Sequence, residues 1–113
     1  MNYQTITTED FDRKVKVLSK KYPSLKADLI AFEKELLANP TMGDDLGDNI
    51  RKVRMAITSK NEGKSGGARI ITFTVLVDVI NTDIYLLTIY DKGEQESISK
   101  KEIKHLKAIN RLV

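Results

Sequence analysis

Lys52 and Arg54 stand two residues apart in "RKVRM", with apolar Val53 and Met55 in the alternate positions. In an extended strand, residues two apart project from one face roughly 7 Å from each other. Two cations at that spacing can hold one phosphate or two neighbouring ones. Arg69 opens the next run of strand-forming residues, and a guanidinium there offers a bidentate fork to an anion. Lys92 follows a later strand in "IYDKGE". Lys60 and Lys64 lie in the intervening loop, suited to attracting a phosphate backbone rather than placing a single atom. Arg51, beside Lys52, and Tyr90, beside the later turn, complete the residues able to touch a nucleic acid. The same residues also describe an ordinary solvated face, with Lys92 a turn lysine and Tyr90 a half-buried strand aromatic.

The charge is more unevenly distributed than the total shows, which leaves both readings open. The net charge is +3, and residues 49–69 hold six basic residues against one acidic. Such local asymmetry is the footprint of a site for a polyanion. The loop motif "GKS" is not a nucleotide-binding P-loop. Thr58 stands where that pattern needs its first glycine, and the loop opens a strand instead of a helix. With no cysteine in the chain, thiol catalysis, disulfides and zinc-thiolate sites are excluded. The acidic residues have neither paired nor metal-ligand spacing, and "GDDLGDN" lacks the pattern of a calcium loop. No metal and no cofactor are expected. The lone histidine, His105, sits between Lys104 and Leu106 as a boundary residue of a helix.

The elements that must position these cations fit one domain over residues 1–113. "NYQTI" alternates as a first strand, and Thr8 caps the helix that follows, with Phe11, Val15 and Leu18 at helical spacing. Pro23 opens a second helix with the stripe Leu25, Leu29, Phe32 and Leu36, and Asn39-Pro40 ends it. Residues 41–49 have loop composition. From about Ile50 the period becomes two, placing Val53, Met55 and Ile57 on one face and Lys52 and Arg54 on the other. Residues 68–80 and 83–91 read as two long strands joined by the short "NT". Strict alternation groups Arg69 with Ile71, Phe73, Val75 and Val77, so Arg69 is either re-aimed at Lys52 and Arg54 by a bulge at Gly66-Gly67 or buried in a salt bridge. Ser99 and Glu102 form a capping box for a last helix with the stripe Ile103, Leu106, Ile109 and Val113. The order is β-α-α-β-β-β-α. The fold class is α+β, an antiparallel sheet packed against an N-terminal helical hairpin and a C-terminal helix. "MNYQTITTED" has no signal-peptide pattern and no run reaches membrane-helix length, so a cytoplasmic protein without membrane contact is expected.

"NIRKVRMAITSKNEGKSGGARIITF" together with "IYLLTIYDKGEQESISKKEIKHL" resembles the HigB-like branch of the RelE/ParE superfamily, the toxins of bacterial type II toxin–antitoxin modules. The most specific matches are R-K-V-R, G-K-S-G-G-x-R and I-Y-x-K-G-E-x-E-x-I-S. The resemblance implies a RelE-like fold and metal-free cleavage of mRNA on the translating ribosome. It implies as partners a cognate antitoxin of helix-turn-helix type, the ribosome and mRNA, with operator DNA reached only through the antitoxin complex. Basic residues on alternate positions of the second strand match Lys52 and Arg54, the arginine opening the third strand matches Arg69, and a basic residue after the fourth matches Lys92. Attack of a ribose 2′-OH on phosphate needs a base, an acid and charge stabilisation. Like-charge repulsion makes a clustered lysine easier to deprotonate, whereas arginine keeps its proton. Lys52 is then the expected base, Arg54 and Arg69 phosphate clamps, and Lys92 a supporting cation. The chain departs from the RelE pattern at Ser99, where those enzymes carry a tyrosine, and it lacks the histidine–tyrosine ending of YoeB-like relatives. A ParE-like gyrase inhibitor, or an inactive homologue that only binds antitoxin and represses its operon, are the alternatives.

Overall fold

A computed structural model describes residues 2–112. Thr8 both ends the first strand, β1 (Asn2–Thr7), and caps the first helix, α1 (Glu9–Lys21). Its hydroxyl accepts from the Phe11 N–H at 3.3 Å and donates toward the carbonyls of Leu86 and Leu87. Acidic residues in the first turn of α1 and lysines in its last complement the helix dipole. The second helix, α2 (Leu25–Ala38), has Ser24 at its cap, so Pro23 precedes the helix instead of opening it. Phe11, Leu18, Leu25, Phe32 and Leu36 are buried from these helices against Val53, Met55, Ile70, Ile84 and Ile89 of the sheet. Each large aliphatic or aromatic side chain so buried contributes about 1.5–3 kcal/mol.

The remaining strands are β2 (Asp44–Gly47), β3 (Ile50–Met55), β4 (Ala68–Leu76) and β5 (Asn81–Asp91), and the sheet order is β1-β5-β4-β3-β2. Three departures from the sequence reading follow. First, β1 pairs parallel with β5 while the other pairs are antiparallel, so the sheet is mixed. Side-chain rungs hold that register, with Asn2 donating to Asn81 at 3.3 Å and Gln4 to Asp83 at 2.7 Å. Second, part of the expected 41–49 loop is a strand. Asp48 and Asn49 adopt positive φ of 54° and 63°, the backbone of a tight hairpin turn, and this folds β2 back on β3. Third, the β4–β5 turn is made by residues 77–80, and Asn81 and Thr82 already belong to β5. The Asp78 carboxylate accepts from the N–H groups of Ile80 and Asn81, each at 2.9 Å, closing an aspartate turn that "NT" does not supply.

The opposite face of the sheet is also covered. Ile50, Ile71, Leu87 and Tyr90 pack there with Ile103 of α4 (Lys100–Ile109), joined by Phe73, Tyr85, Ile98 and Leu112. Ser99 caps α4 by accepting from Glu102 N–H at 3.1 Å. Ile103 and Leu106 are buried, but Ile109 is exposed, so the apolar stripe ends a turn earlier than predicted. Val113 lies outside the described residues. Among the described residues, no helix is long and apolar enough to cross a membrane.

Candidate nucleic-acid interface

Because helices cover both sheet faces, an apolar neighbour does not identify which face a strand residue takes. On β3, Ile50, Lys52 and Arg54 alternate onto the α4 face, while Val53 and Met55 enter the core under α1 and α2. The register sets Arg54 directly opposite Arg69, and Arg69 in turn opposite Tyr90. Lys52 lies one rung away, opposite Ile71 on one side and Asp44 on the other. Arg69 therefore shares the face of Lys52 and Arg54 without a bulge at Gly66-Gly67. The register shift that does occur sits between Ile71 and Thr72. Ile71 and Phe73, which share the parity of Arg69, belong to this second core.

Arg69 is nevertheless not an open phosphate clamp. It is 5% exposed, and its guanidinium donates to the carbonyls of Lys64 at 3.1 Å, Ser65 at 2.8 Å and Ala68 at 3.2 Å. It fastens the short helix α3 (Gly63–Gly66) to the start of β4. Gly67, between α3 and β4, lets the chain pass close to the end of β3, since a Cβ there would meet the Met55 carbonyl oxygen at 2.2 Å. The "GKS" loop thus turns carbonyl oxygens toward an internal cation, the reverse of a phosphate cradle.

Lys60 also moves out of the expected RNA-binding set. Its side chain is only 12% exposed, and Nζ pairs with Asp91 Oδ1 at 2.6 Å and donates to the Gly66 carbonyl at 2.6 Å. Asp91 is buried at the end of β5, where it also accepts from the Tyr22 hydroxyl and from Gly93 N–H. Burial alone would raise the Asp91 carboxyl, but the hydrogen bonds from Lys60 and Tyr22 outweigh it and lower the pKa to about 2. The hydrogen bond to Asp91 raises both Lys60 and Tyr22. This lock ties α1, the basic loop and β5 together. Sequence offered no signal for it, since Lys60 and Tyr22 are 31 and 69 residues from Asp91.

The other expected contacts divide. Arg51 has the opposite parity from Lys52 and lies off the α4 face, with Asp45 Oδ2 3.8 Å away and the Gly43 carbonyl at 3.4 Å. Tyr90 is buried in the second core, not presented as a stacking surface, and burial pushes its phenol up. Lys64 is exposed and meets Glu35 at 3.2 Å across the surface. Lys92 pairs with Glu96 at 2.6 Å, a contact whose acidic partner is highly exposed. Such exposed pairs are worth only about 0–1 kcal/mol and yield readily to a competing anion. Among the described residues, Lys52 and Arg54 alone of the six cations in 49–69 have neither ion pair nor hydrogen bond. Of those six, the cations without partners are thus the two at alternate positions of β3. No protein-family model matches this chain.

Proposed function

We propose that this protein is the toxin of a type II toxin–antitoxin module, a RelE/HigB-like endoribonuclease that cleaves mRNA on the ribosome. The observation that carries the reading is the pair Lys52 and Arg54, unneutralised on one sheet face and backed by the buried charge of Arg69. Cations that fold without a partner are available to an anion, and the row Arg54–Arg69 concentrates positive potential at one place on that face. The order of strand, helical hairpin, strands and closing helix is compatible with the RelE-like arrangement that the sequence resemblance implies.

In this reading Lys52, acting as its neutral amine, takes the proton of a ribose 2′-OH and becomes an ammonium as that oxygen attacks the adjacent phosphorus. Arg54, which keeps its proton, stabilises the negative charge that builds on the phosphorane oxygens. Lys92 supplies a further cation once phosphate displaces Glu96. Arg69 acts behind the surface, as a fixed charge and as the anchor of the loop. The bond from phosphorus to the 5′ oxygen breaks and that oxygen takes a proton from solvent, giving a 2′,3′-cyclic phosphate and a 5′-hydroxyl. An antitoxin of helix-turn-helix type, encoded nearby, blocks the face in the cytoplasm, and operator DNA is met only through that complex.

One observation favours a second reading, an inactive homologue that binds antitoxin alone. Ser99, at the place of the tyrosine in RelE-type enzymes, uses its hydroxyl to cap α4. Primer extension on cellular mRNA after induced expression separates the readings. Growth arrest with new mRNA ends bearing 5′-hydroxyls, formed also by purified protein and ribosomes in chelator with ribosome integrity maintained, is the expected result. Ends bearing 5′-phosphate refute 2′-OH attack. Intact mRNA with an SOS response points to gyrase, and intact mRNA with normal growth to the inactive homologue.

A further inference from the structure

The chain from residue 70 onward is neutral overall, yet its charges are segregated in space. Asp91 is consumed by the buried lock, and Asp78 and Asp83 lie at the β4–β5 hairpin. What remains on α4 is Lys100, Lys101, Lys104 and Lys107 against Glu102. Lys100, Lys104 and Lys107 follow i, i+4, i+7 spacing and so share one side of the helix over about 10 Å.

Those three lysines line a groove of about 490 Å³ between α4 and the β2–β3 hairpin, with Leu46, Ile50 and Ile103 among its apolar residues and Asp48 also on the wall. Among the described residues, Lys100 and Lys104 have no ion pair, while Lys107 lies 4.3 Å from the centre of the Phe73 ring. Ile50 joins this groove to the candidate interface, because it precedes Lys52 and Arg54 on the same face of the same strand.

We propose that the α4 groove holds the sugar–phosphate backbone of the RNA strand that flanks the reacting phosphate, with Lys100 and Lys104 as its phosphate contacts. This rests on the ribonuclease reading above and names where the substrate strand runs. Two features favour an RNA strand over an acidic protein segment. The groove adjoins the cations on β3 through Ile50, which lines it and stands two residues before Lys52 on the same face, and its apolar residues accept ribose and base faces while the lysines meet the backbone. Positioning of the flanking strand is also what a site of two or three cations lacks by itself, since phosphate contacts fix register without reading sequence.

The test measures binding of a single-stranded 2′-O-methyl oligoribonucleotide, which has no 2′-OH to attack and so reports binding independently of cleavage. Each phosphate contact to a single strand contributes about 0.7 to the slope of log affinity against log salt. The K100Q/K104Q variant should therefore bind more weakly and lose about 1.4 from that slope. K101Q removes a charge from the same helix but off the groove, and should leave the slope within about 0.3 of wild type. All three side chains are exposed, and unchanged thermal melting verifies that each variant folds. A wild-type slope in K100Q/K104Q overturns the inference, as does failure of the wild-type protein to bind the oligonucleotide. Loss of binding to an acidic partner protein, with RNA binding unchanged, assigns the groove to protein and overturns it equally. Groove-dependent binding without any mRNA cleavage leaves the track standing and refutes the nuclease reading alone.

Discussion

Lys60→Ala should destabilise the fold rather than remove an RNA contact. Lys60 is the main cationic partner of Asp91, whose side chain is 1% exposed, and truncation leaves that carboxylate with Tyr22 and with Lys21 3.7 Å away. Asp91 falls from 3.8 to about 2 in the folded protein. At ~1.4 kcal/mol per tenfold change in acid strength, that difference is ~2.5 kcal/mol, shared among its hydrogen-bond donors. Stranding one member of a buried pair typically costs about 3–5 kcal/mol. Lys21 can lean toward Asp91 in the variant, so a loss of about 2–3 kcal/mol is expected at pH 7. The sign of the pH effect follows from the lowered Asp91 value. Its contribution is present above the unfolded carboxyl range and disappears as pH falls from about 4 toward 2. Urea unfolding at pH 7 and pH 2.5 measures both effects: wild type should lose stability over that interval, and Lys60→Ala should lose less. RNA binding of the folded variant at low temperature should match wild type. A Lys60→Ala protein within 0.5 kcal/mol of wild type at pH 7, or one as stable as wild type but defective in RNA binding, refutes the lock.

Arg69→Ala should lower thermal stability by about 2–4 kcal/mol, because three backbone carbonyls, two of them in α3, lose a charged donor; an unchanged melting temperature refutes its role as loop anchor. Lys52→Ala and Arg54→Ala, which break no ion pair or hydrogen bond among the described residues, should each stay within about 0.5 kcal/mol of wild type. Their cleavage rates should nevertheless fall by a factor of about ten to a thousand, and full toxicity of the double variant refutes the assigned face. Above pH 10, stability should decline in wild type more steeply than in Lys60→Ala, since the raised Lys60 makes a contribution that is complete below its unfolded value and lost as pH passes the folded one; equal alkaline slopes refute this.

What could be read from sequence is what short range decides. The caps at Thr8 and Ser99 involve amides three residues away, and the common face of Lys52 and Arg54 is fixed by a two-residue period. The aspartate turn at 77–80 is just as local, but Asp78 stands in a run of Val, Ile and Leu that reads as uninterrupted strand. The direction of β1 against β5 joins residues 79 apart, and polar edge residues such as Asn2 and Gln4 carry no sign of parallel or antiparallel pairing. Lys60 and Lys64 look alike in the sequence, four residues apart in one glycine-containing loop. One turns inward because Asp91 and Tyr22 arrive from distant elements, and the other reaches Glu35 on the surface.

Arg69 shows why alternation does not assign a buried face when both sides of a sheet are covered. With one buried face, alternation converts directly into inside and outside, and a cation among isoleucines must be either buried or re-aimed. Here α4 makes a second, smaller core over one end of the other face, so that face is apolar at Ile50, Ile71 and Phe73 and cationic at Lys52, Arg54 and Arg69. The polarity changes along the strands instead of across the sheet. That arrangement has a physical use. A cation seated beside a hydrophobic cluster is less screened by water than one on an open surface, so its attraction for a phosphate is stronger. The buried guanidinium of Arg69, neutralised by no carboxylate within 4.0 Å among the described residues, then adds its field to Arg54 while its hydrogen bonds hold the loop in place. Under the proposed reading, site and scaffold are separate functions for Lys52 and Lys60, but in Arg69 one side chain serves both.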